Sequence, residues 1–177
     1  ALTTTAAVPG TGYVQAQQTG SHFGTFTAEN HANRVTWGAV YAEFTQKATD
    51  IADATMGISV KREVITPNKD VKVGDKIKVR ITITADRDYD FVQVSDHRAA
   101  CMEPVRQLSG YTQGYYYSAK DKTTYYYYDM MAKGTHVLET EYYIDRVGDY
   151  TTGTCTARCM YSPEYAGRAK GLKLQVK

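Results

Sequence analysis

Apolar and polar residues alternate one by one along much of this chain. From residue 76 to 85 the odd positions Ile77, Val79, Ile81 and Ile83 are aliphatic, and Lys78, Arg80, Thr82 and Thr84 between them are polar or charged. A period of two sends successive side chains to opposite faces of an extended backbone, so this segment predicts a strand with one dry and one wet face. The same pattern predicts strands over residues 13–17, 23–28, 34–44, 58–65, 91–94, 124–128, 136–144, 151–160 and 172–176. Thr19-Gly20-Ser21, Asn30-His31, Pro67-Asn68-Lys69-Asp70, Lys133-Gly134 and Val147-Gly148-Asp149 fall between them and read as turns, from residue types that favour chain reversal.

Residues 43–54 break the alternation. Phe44, Ala48, Ile51 and Ala52 recur near helical spacing without Gly or Pro, which suits a short helix or an ordered connector. The strand pattern restarts after Thr55-Met56-Gly57. The expected architecture is all-β: a small unit of about three strands over residues 1–55, then an antiparallel, immunoglobulin-like β-sandwich of about seven or eight strands over residues 56–177. Three antiparallel strands sit at the lower limit of independent stability, so the first unit is expected to pack on the sandwich or to be half of a domain whose other strands are missing.

Composition adds one skew: 16 Tyr against 4 Phe and 1 Trp. Tyrosine has high strand propensity, and its ring carries a hydroxyl that tolerates water, so the excess suits half-buried strands and contact surfaces. It concentrates in Tyr115-Tyr116-Tyr117 and Tyr125-Tyr126-Tyr127-Tyr128, two strands joined through residues 118–123. Consecutive tyrosines place rings on both faces. One set enters the core, and Tyr115, Tyr117, Tyr125 and Tyr127 are the candidates for an outward contact surface facing a partner chain or a sugar.

Charge excludes more than it suggests. The 21 basic and 19 acidic side chains give +2, with the basic residues scattered rather than striped, so nucleic acid is not an expected partner. No window reaches the roughly 20 apolar residues of a membrane span, and residues 1–10 lack the basic start and apolar run of a signal peptide. Without an initiator Met the chain reads as a mature or excised piece.

Three cysteines raise metal, redox and staple chemistry. On one regular strand Cys155 and Cys159 share a face about 13 Å apart, too far to bond or to share a zinc ion. His22, His31, His97 and His136 show no metal spacing, so no metal and no cofactor is expected. Cys101 follows a strand ending near Asp96, in a segment that crosses the end of the sandwich, and a bridge from Cys101 to Cys159 is expected in preference to Cys155. Such a staple fits an oxidising compartment, although three cysteines leave one unpaired. There is no Gly-x-Ser-x-Gly elbow. Asp86-Arg87-Asp88-Tyr89-Asp90 lacks the glycine and downstream Glu of an EF-hand, and reads as a solvated loop in which Arg87 balances the aspartates. No enzymatic site is expected.

From residue 58 onward, the order of segments resembles the last macroglobulin-type domain of bacterial alpha-2-macroglobulins. The resemblance rests on Val73-Gly74-Asp75-Lys76, residues 85–92, and Asp96-His97-Arg98-Ala99-Ala100-Cys101-Met102-Glu103-Pro104. Leu108-Ser109-Gly110-Tyr111, residues 133–139, Gly148-Asp149-Tyr150 and Cys159-Met160-Tyr161-Ser162-Pro163-Glu164-Tyr165 follow in the same order. Upstream, Val35-Thr36-Trp37-Gly38-Ala39-Val40-Tyr41 looks like the strand between the helical thioester domain and the final domain. Residues 1–55 would then be the return half of the β-domain that hosts the thioester domain.

The resemblance implies a protease-trapping protein, in which bait cleavage triggers a rearrangement and an internal thioester captures the attacker. Its partners would be upstream domains of the same polypeptide and target proteases. Its address would be the periplasm or cell envelope, with lipid anchoring through a missing N-terminus left open. The thioester motif Cys-x-Glu-Gln is absent: Cys101-Met102-Glu103-Pro104 puts proline where glutamine is required. Any thioester would lie upstream. The stretch with Met160, Tyr161 and Pro163 resembles the loop that shields the thioester from water in some bacterial members. The plainer reading of these residues is a strand end stopped by Pro163 with Tyr161 in the core. A further alternative for the whole chain is an aromatic-rich carbohydrate-binding or adhesion module.

Overall fold

The computed structural model describes residues 3–4, 12–17, 19–20, 27, 29–31, 33–112 and 114–177. The chain divides into two compact units, Ala1–Glu43 and Phe44–Lys177. In the first, β1 (Thr3–Thr4) pairs antiparallel with β2 (Ala16–Gln17). The strand expected over residues 13–17 is thus confined to its last two residues, and most of the one expected over 23–28 lies outside the described residues. The strand expected over 34–44 does not form. Residues 35–47 have no regular structure, and Trp37 and Tyr41 are 94% and 91% exposed. Alternation prepares a backbone for pairing, but a strand needs a neighbour to satisfy its amides, and none of the described residues pairs with this segment.

The second unit opens with a connector, not a helix. Of the short helix and the ordered connector that the spacing allows, the structure has the connector, with a turn closed by Asp50 N donating to Lys47 O (2.9 Å). Hydrogen bonds explain why the connector joins this unit, upstream of the expected boundary near residue 55. Gly171 N donates to Ala48 O (2.8 Å), Lys170 N to the Asp53 carboxylate (2.8 Å), and the Arg168 guanidinium to Ala52 O (3.1 Å).

All regular elements among the described residues are strands, as the alternation predicts. β3 (Ala54–Met56), β4 (Ile58–Ile65), β5 (Lys76–Ala85), β6 (Tyr89–His97), β7 (Met102–Pro104), β8 (Gly110–Thr112), β9 (Tyr115–Ala119), β10 (Thr123–Met131), β11 (Gly134–Ile144), β13 (Cys155–Cys159) and β14 (Ala166–Ala169) form one antiparallel ladder, in the order β7-β11-β5-β4-β3-β14-β13-β6-β10-β9-β8. The ladder folds on itself as a sandwich. The β7-β11-β5-β4 layer faces the β13-β6-β10-β9 layer, and β3 with β14 carries the ladder between them. Cross-layer hydrogen bonds mark the closure: Tyr126 to Thr140 at 2.6 Å, and Thr124 to Tyr142 at 2.9 Å.

The predicted strand over 151–160 is two elements. β12 (Gly148–Thr151) pairs with β15 (Lys173–Val176), whereas β13 pairs with β6. Between them Thr152 N donates to Leu172 O (2.9 Å) and Gly153 N to His97 O (3.1 Å), so the backbone changes partners there. The core is the inward phase of the long strands. Ile58, Ile77, Val79, Ile81 and Ile83 in one layer meet Val92, Val94, Ala157 and Tyr126 in the other, each at 2% exposure or less. Gly167 is where β14 lies hard against β4: a Cβ there would come within 2.4 Å of the Ile58 carbonyl oxygen.

Candidate functional site

The β6–β13 ladder has two unlike ends, and the sequence candidates fall at both. Cys155 pairs with Asp96 and Cys159 with Val92. At the Asp96 end, Arg62 of β4 reaches across the sandwich to the Asp96 carboxylate at 2.6 Å. It also donates to Thr152 Oγ1 (2.6 Å), Gly153 O (2.7 Å) and Lys170 O (2.8 Å). Both charged side chains are 1–2% exposed. Burial pushes the neighbouring Cys155 thiol well up, with the Asp96 charge adding to it, and a thiol held protonated is a poor nucleophile.

The other end is open. β6 enters through Tyr89, Asp90 and Phe91, and β13 leaves through Cys159 into the loop of Met160, Tyr161, Ser162, Pro163 and Glu164. Met160 N donates to Phe91 O (2.9 Å) and the Cys159 thiol to Asp90 O (3.2 Å). Tyr165 N donates to Ser162 O (3.0 Å), closing a turn with Pro163 at its second position, where a fixed φ is favoured. Tyr161 is 80% exposed and Met160 48%. Tyr161 is therefore not a core residue, and Pro163 shapes the loop after a strand that has already ended at Cys159.

Aromatic packing fixes the base of this loop. The Tyr165 ring lies 5.4 Å from the Tyr89 ring, and the Arg87 guanidinium lies 5.3 Å from the Tyr165 centroid. Tyr89 donates its hydroxyl to Asp86 at 2.6 Å, and burial, then that hydrogen bond, pushes its phenol up to about 12. Hydrogen bonds from Arg87 and then Tyr89 hold the Asp86 carboxyl below its ordinary range, so Arg87 balances this loop as its sequence suggests. Arg87, Tyr89 and Tyr165 line an open depression together with Phe91 and Tyr161.

The expected Cys101 to Cys159 bridge is not formed: all three cysteines are buried free thiols. The register gives the reason. Cys101 follows the Asp96 end of β6, whereas Cys159 sits opposite Val92, about 13 Å back along the same strand and beyond disulfide reach. Among the described residues no group of three or more His, Cys, Asp or Glu side chains is placed to hold a metal ion.

The tyrosine assignment needs correction on one strand. Tyr126 is opposite Tyr117 and Tyr127 opposite Tyr116, and opposed residues share a face. Tyr117 is 3% exposed and donates its hydroxyl to Arg106 O (2.8 Å), and Tyr115 packs on the inward rings of Tyr126 and Tyr128 at 5.7 and 5.4 Å. The outward set is Tyr111, Tyr116, Tyr125 and Tyr127. Its ring separations are 5.0 Å for Tyr111 to Tyr116, 6.4 Å for Tyr116 to Tyr127, and 5.9 Å for Tyr125 to Tyr127, the last pair within 18° of parallel. Sequence spacing cannot supply this register, since the turn residues set it and a one-residue change flips a whole strand.

Two residues at the Asp96 end escaped the sequence reading, and one, Phe91, at the other. Arg62 and Asp96 each occupy the inward phase of an otherwise apolar strand, Ile58-Val60-Arg62-Val64 and Val92-Val94-Asp96, which was a legible signal for a buried ion pair. Phe91 carried no such signal.

The family model for the bacterial alpha-2-macroglobulin MG10 domain matches residues 43–164. No curated protein matches the sequence. Solved structures of similar fold include Salmonella alpha-2-macroglobulin reacted with methylamine, with TM-score 0.62 and 18% identity over 72% of this chain and 10% of that one. Native Escherichia coli alpha-2-macroglobulin from domain MG7 to the C-terminus gives 0.63 and 13%, over 73% and 25%. The trypsin-activated Escherichia coli protein gives 0.61 and 14%, over 71% and 11%. The chain thus spans about a tenth to a quarter of the solved chains it resembles.

Proposed function

The chain belongs to the bacterial alpha-2-macroglobulin MG10 domain family, and on that premise we propose that it is a non-catalytic domain of a protease-trapping protein, presenting the loop of Met160 and Tyr161 against a thioester on an upstream domain. The observation that carries this reading is the exposure of both side chains, 48% and 80%, on a loop whose backbone is pinned to β6 and to its own turn. An adaptable thioether and an aromatic ring held at a surface suit the exclusion of water from a reactive acyl bond. The Salmonella relative reacts with methylamine and an Escherichia coli relative is activated by trypsin, which fits an acyl group open to amines and a trap sprung by proteases. On this reading the unit before Phe44 is the return half of the domain hosting the thioester domain, the unit from Phe44 onward is the final sandwich, and the setting is the periplasm or cell envelope. Tyr161→Ala in the full-length protein should speed thioester loss, read as thiol release with and without methylamine. Unchanged release would overturn the shielding role.

A second reading draws on the near-parallel Tyr125 and Tyr127 rings, co-facing with Tyr116 and Tyr111. Ser95 and Gln93 lie opposite Tyr125 and Tyr127 on the adjoining strand, and so on the same face. Aromatic faces beside polar groups suit stacking on a sugar. Glycan-array binding that Tyr125→Ala and Tyr127→Ala abolish would promote this reading, and no binding would remove it.

A further inference from the structure

Phe91 is the one non-glycine residue with positive φ among the described residues, at 53°. Bulky L residues rarely adopt this left-handed conformation, because Cβ crowds the following carbonyl, and glycine adopts it freely. Such strain persists where the surroundings over-determine it, and it points to a function for the residue that bears it. The backbone geometry here is in use: Asp90 O and Phe91 O accept from the Cys159 thiol and from Met160 N, fixing the root of the exposed loop. Glycine would supply that geometry without strain, so the backbone does not explain the side chain.

Core packing does not explain it either, because the ring is 49% exposed. What the ring does touch is Tyr161, edge to face, with centroids 5.2 Å apart and planes at 84°. That is a favoured aromatic geometry. Tyr161 has little else to hold it at 80% exposure. We infer that Phe91 is a positioning residue that holds the Tyr161 ring edge-on and outward, so that the loop meets the upstream thioester with its aromatic cap already placed. The inference rests on the shielding role proposed above and adds to it the group that preorganises the shield.

Phe91→Gly in the full-length protein separates this from a structural role, because the two predict opposite signs. Releasing the left-handed strain leaves the melting temperature of this domain unchanged or raises it. Losing the edge-to-face contact speeds spontaneous thiol release about two- to tenfold, the rate equivalent of one aromatic pair. Phe91→Gly combined with Tyr161→Ala should release thiol no faster than Tyr161→Ala alone, since both act through one ring. Faster release from Tyr161→Ala with parental release from Phe91→Gly overturns the positioning role and leaves shielding intact. Additive acceleration in the double variant also overturns it. Parental release from both single variants, or a parent with no methylamine-reactive group, removes the shielding role and the inference with it.

Discussion

The two ends of the β6–β13 ladder are built on opposite principles. At the Asp96 end a buried arginine and carboxylate share one short contact, and backbone carbonyls and Thr152 take up most of the remaining guanidinium protons. At the Phe91 end the backbone is strained, and Phe91 and Tyr161 are exposed and meet edge to face, above a base packed from Tyr89, Tyr165 and Arg87. At the first end the charged side chains are themselves buried. The second leaves apolar groups in water, which a folded chain tolerates where a partner is expected. Stability and contact are thus separated along a single strand pair, and substitutions at the two ends should read out on different measurements.

The largest effect is expected from Asp96→Ala. It leaves the Arg62 guanidinium buried without its counter-charge, and breaking such a pair costs about 3–5 kcal/mol. The urea midpoint should fall accordingly. Replacing both partners, Arg62→Met with Asp96→Leu, should recover most of the loss, because the uncompensated charge is then gone. A midpoint unmoved by Asp96→Ala would show that the closed end is not what holds the sandwich.

Alkaline pH attacks the same end by titration. Burial pushes the phenols of Tyr126 and Tyr142 up from their ordinary value near 10, with the Asp96 charge raising both further. Below that value both phenols stay protonated folded or unfolded, and their stabilisation is complete. As pH rises above about 10 the unfolded chain releases these protons while the folded one retains them, so stability falls, by up to about 1.4 kcal/mol per pH unit for each phenol. The buried Cys155 thiol starts the decline by the same logic, near its ordinary value of about 9. The urea midpoint should therefore be level up to about pH 8, fall gently around pH 9 and more steeply between about pH 10 and 11, and Tyr126→Phe should make the steeper part shallower. A level midpoint through pH 11 would contradict the burial of these hydroxyls.

Gly167→Ala tests the strand that joins the two layers. Its Cβ would meet the Ile58 carbonyl oxygen at 2.4 Å and the carbonyl carbon at 2.9 Å, and backbone cannot rotate away as a flexible side chain can. A loss of about 1–3 kcal/mol is expected, the usual cost of overpacking, measured as a lowered urea midpoint. An unchanged midpoint would mean that β14 and β4 can part freely.

How far the sequence reveals this arrangement follows from which interactions are local. β4 and β5 are legible to the residue because each alternates between one core and one solvent face. Residues 34–44 alternate as well but form no strand, since pairing is a property of the neighbour and not of the segment. β14, with Ala166, Gly167 and Ala169, has almost no hydrophobic signal because it passes where only small residues fit. The faces of Tyr115 and Tyr117 depend on hairpin register, which their own spacing does not contain. Tyr161 and Met160 are identifiable from their resemblance to a family loop, whereas Phe91 becomes visible only through a backbone angle and a ring contact.

The smallest expected effect on stability is the most informative about the open end. Tyr161→Ala removes a ring that is 80% exposed and meets the half-exposed Phe91 edge to face. A surface truncation of this kind changes stability by about 0.5 kcal/mol or less, so the urea midpoint should stay within error of the parent. A drop of 2 kcal/mol or more, an order found for core truncations, would make Tyr161 a structural residue and return the loop to the same class as the Asp96 end. A level midpoint leaves a tyrosine kept at the surface for reasons outside the fold, beside a phenylalanine that bears backbone strain to meet it.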